Sequence, residues 1–155
     1  NAFELDTKRL RGRNEQQGLS VLTCDLNMLK KVNDQRGHAA GDQYIISLAR
    51  LLVERFKDRG ETYRTGGDEF ATLLRDVDVA ALRAEMDELH TRALRISVAG
   101  FPLFFAYGIA SFDPERDADI HATLTRADAE MYAHKRALKQ KGEREEAEDA
   151  DRNIT

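Results

Sequence analysis

Residues 61–74 read Glu61-Thr62-Tyr63-Arg64-Thr65-Gly66-Gly67-Asp68-Glu69-Phe70-Ala71-Thr72-Leu73-Leu74. Two runs with β-branched and aromatic residues, 61–65 and 70–74, flank a glycine pair. That pattern predicts an antiparallel hairpin with Gly66 and Gly67 at its tip. Glycine there tolerates a positive φ and lets the backbone approach a ligand closely. Asp68 and Glu69 follow on the edge of the turn. Paired carboxylates beside bare backbone suit a hard divalent cation, which takes oxygen ligands and shares them with phosphates. The plain alternative is a solvated turn that happens to be acidic.

Upstream, Leu19-Ser20-Val21-Leu22-Thr23-Cys24 is a short apolar run of the kind that forms a buried strand, and it ends in Asp25-Leu26-Asn27. An acid at the end of a buried strand is costly unless a cation or hydrogen bonds compensate it. The hairpin acids are candidate partners of Asp25 through a shared metal. Next come Lys30-Lys31-Val32-Asn33-Asp34 and Gly37-His38-Ala39-Ala40-Gly41-Asp42, and near the C-terminus Ala127-Asp128, Met131-Tyr132 and Lys135. With these ordered motifs the chain resembles a GGDEF domain, the catalytic domain of diguanylate cyclases, over nearly its whole length.

The resemblance implies condensation of two GTP molecules into cyclic di-GMP with release of pyrophosphate, assisted by Mg²⁺ or Mn²⁺. It implies that Asp25, Asp68 and the Leu26 carbonyl hold the metal. Glu69 is a further ligand or the proton acceptor, and both roles stay open. Asn33 and Asp42 match the guanine-reading positions, with His38 beside them. A carboxylate accepting from guanine N1 and N2 is sensible chemistry; an Asn-Asp turn for Asn33 and a helix N-cap for Asp42 are the structural alternatives. Lys30, Lys135 and Lys139 match phosphate contacts, with Lys30 a catalytic candidate. Backbone amides around Met28, Leu29 and Lys30 would cradle phosphates at a helix start, and Gly66 and Gly67 would line the substrate site.

Three positions depart from the family pattern. Asn27 stands where many members have a second aspartate. Lys139 replaces an arginine that would grip phosphate bidentately. Lys57-Asp58-Arg59-Gly60 lacks the Arg-x-x-Asp pair of a product-inhibitory site. The family's LTGL-like turn is absent before residue 13, so the chain is expected to be part of a longer protein whose sensor segment lies elsewhere.

The sequence of 155 residues is one domain's worth, with 41% hydrophobic and 34% charged residues and a net charge of −4. This balance gives no footing for nucleic acid or an anionic membrane. The single cysteine, Cys24, rules out an internal disulfide, fits a reducing compartment, and reads as a small core residue. His38, His90, His121 and His134 lack zinc-like spacing. With no signal peptide and no apolar stretch long enough for a bilayer, a cytoplasmic domain without membrane contact of its own is expected; a full-length protein would be free to carry an anchor elsewhere.

A helix is expected across Asn1–Arg13, a strand at Leu19–Leu26, and an amphipathic helix from Gly41-Asp42 to Phe56. Asp78 is expected to cap a helix with the stripe Val79, Leu82, Met86, Leu89 and Ala93. Strands follow at Arg95–Ala99 and Leu103–Phe112 around a Gly100-Phe101-Pro102 turn, and Asp119 opens a last helix with Leu124, Ala127, Met131 and Leu138 on its apolar face. Residues 142–155 are dense in charge and read as frayed helix or disorder. The whole is an α+β domain at residues 1–141, helices against a mainly antiparallel sheet, resembling the palm-like fold of nucleotidyl cyclases and some polymerases. Because one domain carries one set of GTP-binding residues, the reaction implies a transient homodimer. A catalytically silent GTP-binding regulatory module and a protein-interaction domain are the alternatives.

Overall fold

The computed structural model describes residues 2–10 and 13–154. In chain order the elements are α1 (Ala2–Lys8), α2 (Arg13–Gln16), β1 (Leu19–Leu26), α3 (Leu29–Arg36), α4 (His38–Phe56), β2 (Gly60–Arg64), β3 (Glu69–Arg75), α5 (Val79–Ala93), β4 (Ser97–Val98), β5 (Phe101–Pro102), β6 (Phe105–Ser111) and α6 (Ile120–Ile154). The apolar run at 19–26 forms the central strand, buried along its whole length. It pairs antiparallel with β3 and β6, and β2 completes a four-stranded sheet of order β2-β3-β1-β6.

A strand's side chains alternate between faces, and here each face meets a different layer. Leu22, Cys24 and Leu26 join Tyr44, Leu48, Leu52 and Phe56 of α4 and Leu82, Met86 and Leu89 of α5 in the larger core. Leu19 and Val21 join Phe3, Ile120 and Ala127 in a second core under α1 and α6. Asp25 belongs by alternation to the α6 face. That face is drawn tight at Gly108, where a β-carbon would stand 2.2 Å from the Ala127 carbonyl oxygen and 2.5 Å from the Met131 nitrogen. Only glycine lets the helix backbone rest on the sheet at that point.

Several expectations are met. Asp78 caps α5 by accepting from the Ala80 and Ala81 amides, Asp119 accepts from the Ala122 amide at the start of α6, and Cys24 is a buried core thiol. Others are corrected. The turn after β4 is Ala99-Gly100, both at positive φ, and β4 and β5 form a separate two-stranded sheet. The long helix begins at His38 after Gly37, so Asp42 lies inside it and is not its N-cap; Asn33 lies within α3 and is not a turn residue. The N-terminal helix ends at Lys8 among the described residues; Asn1, Arg11 and Gly12 lie outside them.

The segment expected to be frayed or disordered is instead the continuation of α6 through Ile154, with Thr155 outside the described residues. Good helix formers and pairs such as Lys141–Glu145 and Glu148–Arg152 at i,i+4 support it. Among the described residues no helix is long and apolar enough to cross a membrane.

Candidate active site

Antiparallel pairing sets Asp25 directly opposite Glu69, and the Leu26 amide donates to the Asp68 carbonyl at 3.3 Å. This closes the end of β1 onto the hairpin tip. Carboxylate oxygens of Asp25, Asp68 and Glu69 thereby come within 4.8 Å of one another. Gly66 and Gly67 sit at the tip as expected, but neither has the positive φ that would require glycine. They leave the backbone bare beside the acids; a β-carbon at Gly67 would meet nothing within 4 Å.

Asp25 is 2% exposed. One of its oxygens, Oδ2, lies 3.1 Å from the Lys135 ammonium; the other, Oδ1, is buried without a hydrogen-bond partner among the described residues. Burial pushes the Asp25 carboxyl up to about 7; the Lys135 hydrogen bond pulls it back, and the neighbouring Asp68 charge adds to the rise. Asp128, on α6, is likewise raised to about 6 by burial and the Glu69 charge. A buried carboxylate oxygen with an unmet lone pair, among further carboxylates, fits a hard cation: the donor set is all oxygen, and added positive charge relieves both burial and repulsion.

The turn from β1 into α3 is pinned from behind. Buried Tyr44 donates to the Pro102 carbonyl at 2.6 Å and accepts from the Phe104 amide at 2.9 Å; the Asn27 amide in turn donates to the Phe104 carbonyl at 2.9 Å. Met28 caps α3 without a side-chain hydrogen bond, so the first amides of the helix are left for another acceptor. Beside this turn lies a cavity of about 480 Å³ lined by Asn27, Lys31, Phe104, Lys135, Lys139 and, from the extended α6, Glu143 and Glu146. Buried Asn27 Oδ1 also has no partner among the described residues.

The structure thus gathers Lys135 and Lys139 at one cavity, adds Lys31, and leaves Lys30 off its lining. Lys30 is 94% exposed, 3.7 Å from Asp34. Neighbouring helix positions point about 100° apart, so a one-residue difference decides which lysine faces inward. Asn33 packs against α4 next to Asp42, at the α3–α4 corner: a β-carbon at Gly41 would stand 1.8 Å from Asn33 Oδ1. Asp42 and His38, one turn apart on α4, are exposed there. In the 57–60 segment, Lys57 pairs with Glu54 at 3.7 Å, and a β-carbon at Gly60 would lie 2.0 Å from the Leu73 carbonyl oxygen. This backbone has no room for an aspartate at 60.

Tyr132 and Asp128 lie in the Ala127–Lys135 motif, where residue type alone points to no role for either. Tyr132 Oη donates to Glu69 Oε1 at 2.5 Å.

The family described as "Diguanylate cyclase, GGDEF domain" matches residues 2–141. The diguanylate cyclase TpbB of Pseudomonas aeruginosa is 33% identical over 141 residues, 84% of this chain and 31% of TpbB. The cyclic di-GMP phosphodiesterase PdeR of Escherichia coli is 32% identical over 120 residues, 76% of this chain and 18% of PdeR. The GGDEF domain of DgcB from Caulobacter crescentus, solved in complex with c-di-GMP, has the same fold, with a TM-score of 0.77 at 23% identity over 88% of this chain and 84% of that one. The chain spans less than a third of the length of TpbB and PdeR.

Proposed function

The chain belongs to the GGDEF family of diguanylate cyclase domains, and on that premise we propose that it condenses two GTP molecules into cyclic di-GMP. The observation that carries this reading is Asp25 Oδ1, buried and unpartnered, within the cluster it forms with Asp68 and Glu69. Those three carboxylates, with the Leu26 carbonyl, would hold Mg²⁺ or Mn²⁺. The metal's contribution when bound is to offset charge on the α-phosphate and lower the pKa of the attacking hydroxyl.

The remaining work falls to this chain's own groups. Lys31, Lys135 and Lys139 line the cavity that suits the triphosphate, and the uncapped amides from Met28 to Lys30 offer it donors. Exposed Lys30, next to Lys31 in sequence, adds long-range positive charge. Asn33, with Asp42 and His38 on the adjoining turn of α4, reads the base edge. In each condensation a 3′-oxygen bonds to the α-phosphorus of the other nucleotide, and the α–β anhydride bond breaks. Pyrophosphate leaves, and the hydroxyl proton passes to a carboxylate of the cluster. Two such steps close the ring. Positioning supplies most of the rate, as in other phosphoryl transfers. One domain offers one nucleotide site, so two domains meet face to face as a transient homodimer.

The stretch shared with PdeR favours a second reading, a GTP-binding regulatory module that does not turn over. Incubation with GTP and Mg²⁺, followed by identification of the product, separates the two. Cyclic di-GMP and pyrophosphate in a 1:2 ratio support the catalytic reading; tight GTP binding without product supports the second.

A further inference from the structure

Three side chains on one stripe of α6 reach toward the acid cluster. Lys135 contacts Asp25, Tyr132 contacts Glu69, and Asp128 feels the Glu69 charge. Their spacing, i, i+4 and i+7, keeps them on one helical face, and the glycine contact at Gly108 brings that face down to the sheet. Lys135 has a ready account as a phosphate contact and counter-charge. Tyr132 does not. The residue is 41% exposed, so the aromatic ring is no core element, and among the described residues its hydroxyl is held by Glu69 Oε1.

A β-carbon at Gly66 would stand 3.5 Å from Glu69 Oε2, so this oxygen lies over the bare glycine turn. One oxygen is anchored by a neutral donor on a rigid helix, and the same carboxylate is one of the three that form the cluster. We propose that Tyr132 is the positioning residue of the metal site: its hydroxyl fixes the rotamer of Glu69 and holds that carboxylate in the cluster with Asp25 and Asp68. The inference rests on the reading of Asp25, Asp68 and Glu69 as a metal site.

The physical reason is pre-organisation. A glutamate side chain free to rotate loses that freedom when it becomes a ligand, and a partner that orients it beforehand removes part of the loss. A neutral phenol does this without the competing positive charge that a second lysine would bring. The carboxylate, which accepts at both oxygens, keeps its charge and one full set of lone pairs for the metal.

The test is Tyr132→Phe, which deletes only the hydroxyl. Mn²⁺ affinity is measured by calorimetry on the nucleotide-free domain, with Asp68→Ala as the control that removes a ligand outright. The expected result is Mn²⁺ binding weakened about 10- to 100-fold in Tyr132→Phe. The unfolding temperature without metal should be unchanged, and at saturating Mn²⁺ kcat should be lowered with the KM for GTP unaltered. A Phe variant that binds Mn²⁺ within about twofold of wild type overturns the proposal, even if Tyr132→Leu binds weakly, because the ring and not the hydroxyl then matters. A wild type that binds no Mn²⁺ overturns it as well. A wild type that binds Mn²⁺ in a Tyr132-dependent way but yields no cyclic product upholds the positioning role and removes only the catalytic reading.

Discussion

Asp25→Asn puts a magnitude on the charge buried at the head of the site. In the metal-free domain the Asp25 carboxyl is pushed from 3.8 to about 7, first by burial, with Lys135 opposing and Asp68 reinforcing the rise. The folded form therefore holds this proton more tightly than the unfolded chain does. Between about pH 4 and pH 7 the native state binds the extra proton, so stability falls as pH rises through that window and stays low above it. A rise of about three units at 1.36 kcal/mol each gives a ceiling of about 4 kcal/mol. Asparagine has no charge to bury, and Lys135, a third exposed, can turn its ammonium to water. Above pH 7 the Asn variant is thus expected to be the more stable protein by up to about 4 kcal/mol, or about 10 °C for a chain of this size. Near pH 4 the two should converge. Thermal unfolding followed by circular dichroism in EDTA, from pH 4 to pH 9, measures the difference directly. Adding Mn²⁺ should then raise the wild type and leave the variant unmoved, since a ligand stabilises only the native state that binds it. Parallel curves across the range, or a variant that melts below wild type at pH 8, would refute the reasoning. The Lys135 pairing would then outweigh burial.

Asp117, whose side chain is 1% exposed, is gripped by Arg126, Thr123 and the Asp113 amide; Asp117→Ala should cost about 3–5 kcal/mol in denaturant unfolding, because it strands a partly buried guanidinium. Arg126, first among these partners, holds the Asp117 carboxyl well below the usual range, so its stabilisation is present above about pH 4 and lost as pH falls below that. Asp68→Ala, at a half-buried hairpin tip, is expected to abolish cyclisation while leaving the unfolding temperature nearly unchanged; retention of more than about a tenth of wild-type turnover would remove Asp68 from the metal site. Asp42→Ser should narrow the gap between stabilisation by GTP and by ATP by about 1 kcal/mol, the worth of one wet hydrogen bond, and equal stabilisation of the wild type by both nucleotides would count against base reading there. Specific activity of the domain should climb with its own concentration and flatten when a coiled coil fused before residue 1 raises the local concentration to about the millimolar range. A flat dilution series with monomers in light scattering would end the two-domain scheme.

Much of this fold was legible because its signals are local. The run 19–26 is apolar on both faces and became the central strand over those same residues. The glycine pair marked the hairpin, Asp78 and Asp119 marked helix starts, and the acids at 25, 68 and 69 came together because strand pairing leaves them no other place. Local signals also misled where two readings shared one composition. Residues 142–154 carry too little apolar surface to report a helix, yet α6 runs on through them. The choice of Lys31 over Lys30, the clasp of Lys135 on Asp25 and the hold of Tyr132 on Glu69 were beyond reach. Each depends on the rotation of a helix against the sheet, and for α6 that rotation is set at Gly108, where helix backbone touches strand. Periodicity names the apolar face of a helix; which polar residue at its margin meets a given carboxylate is decided by the close packing of two distant backbones.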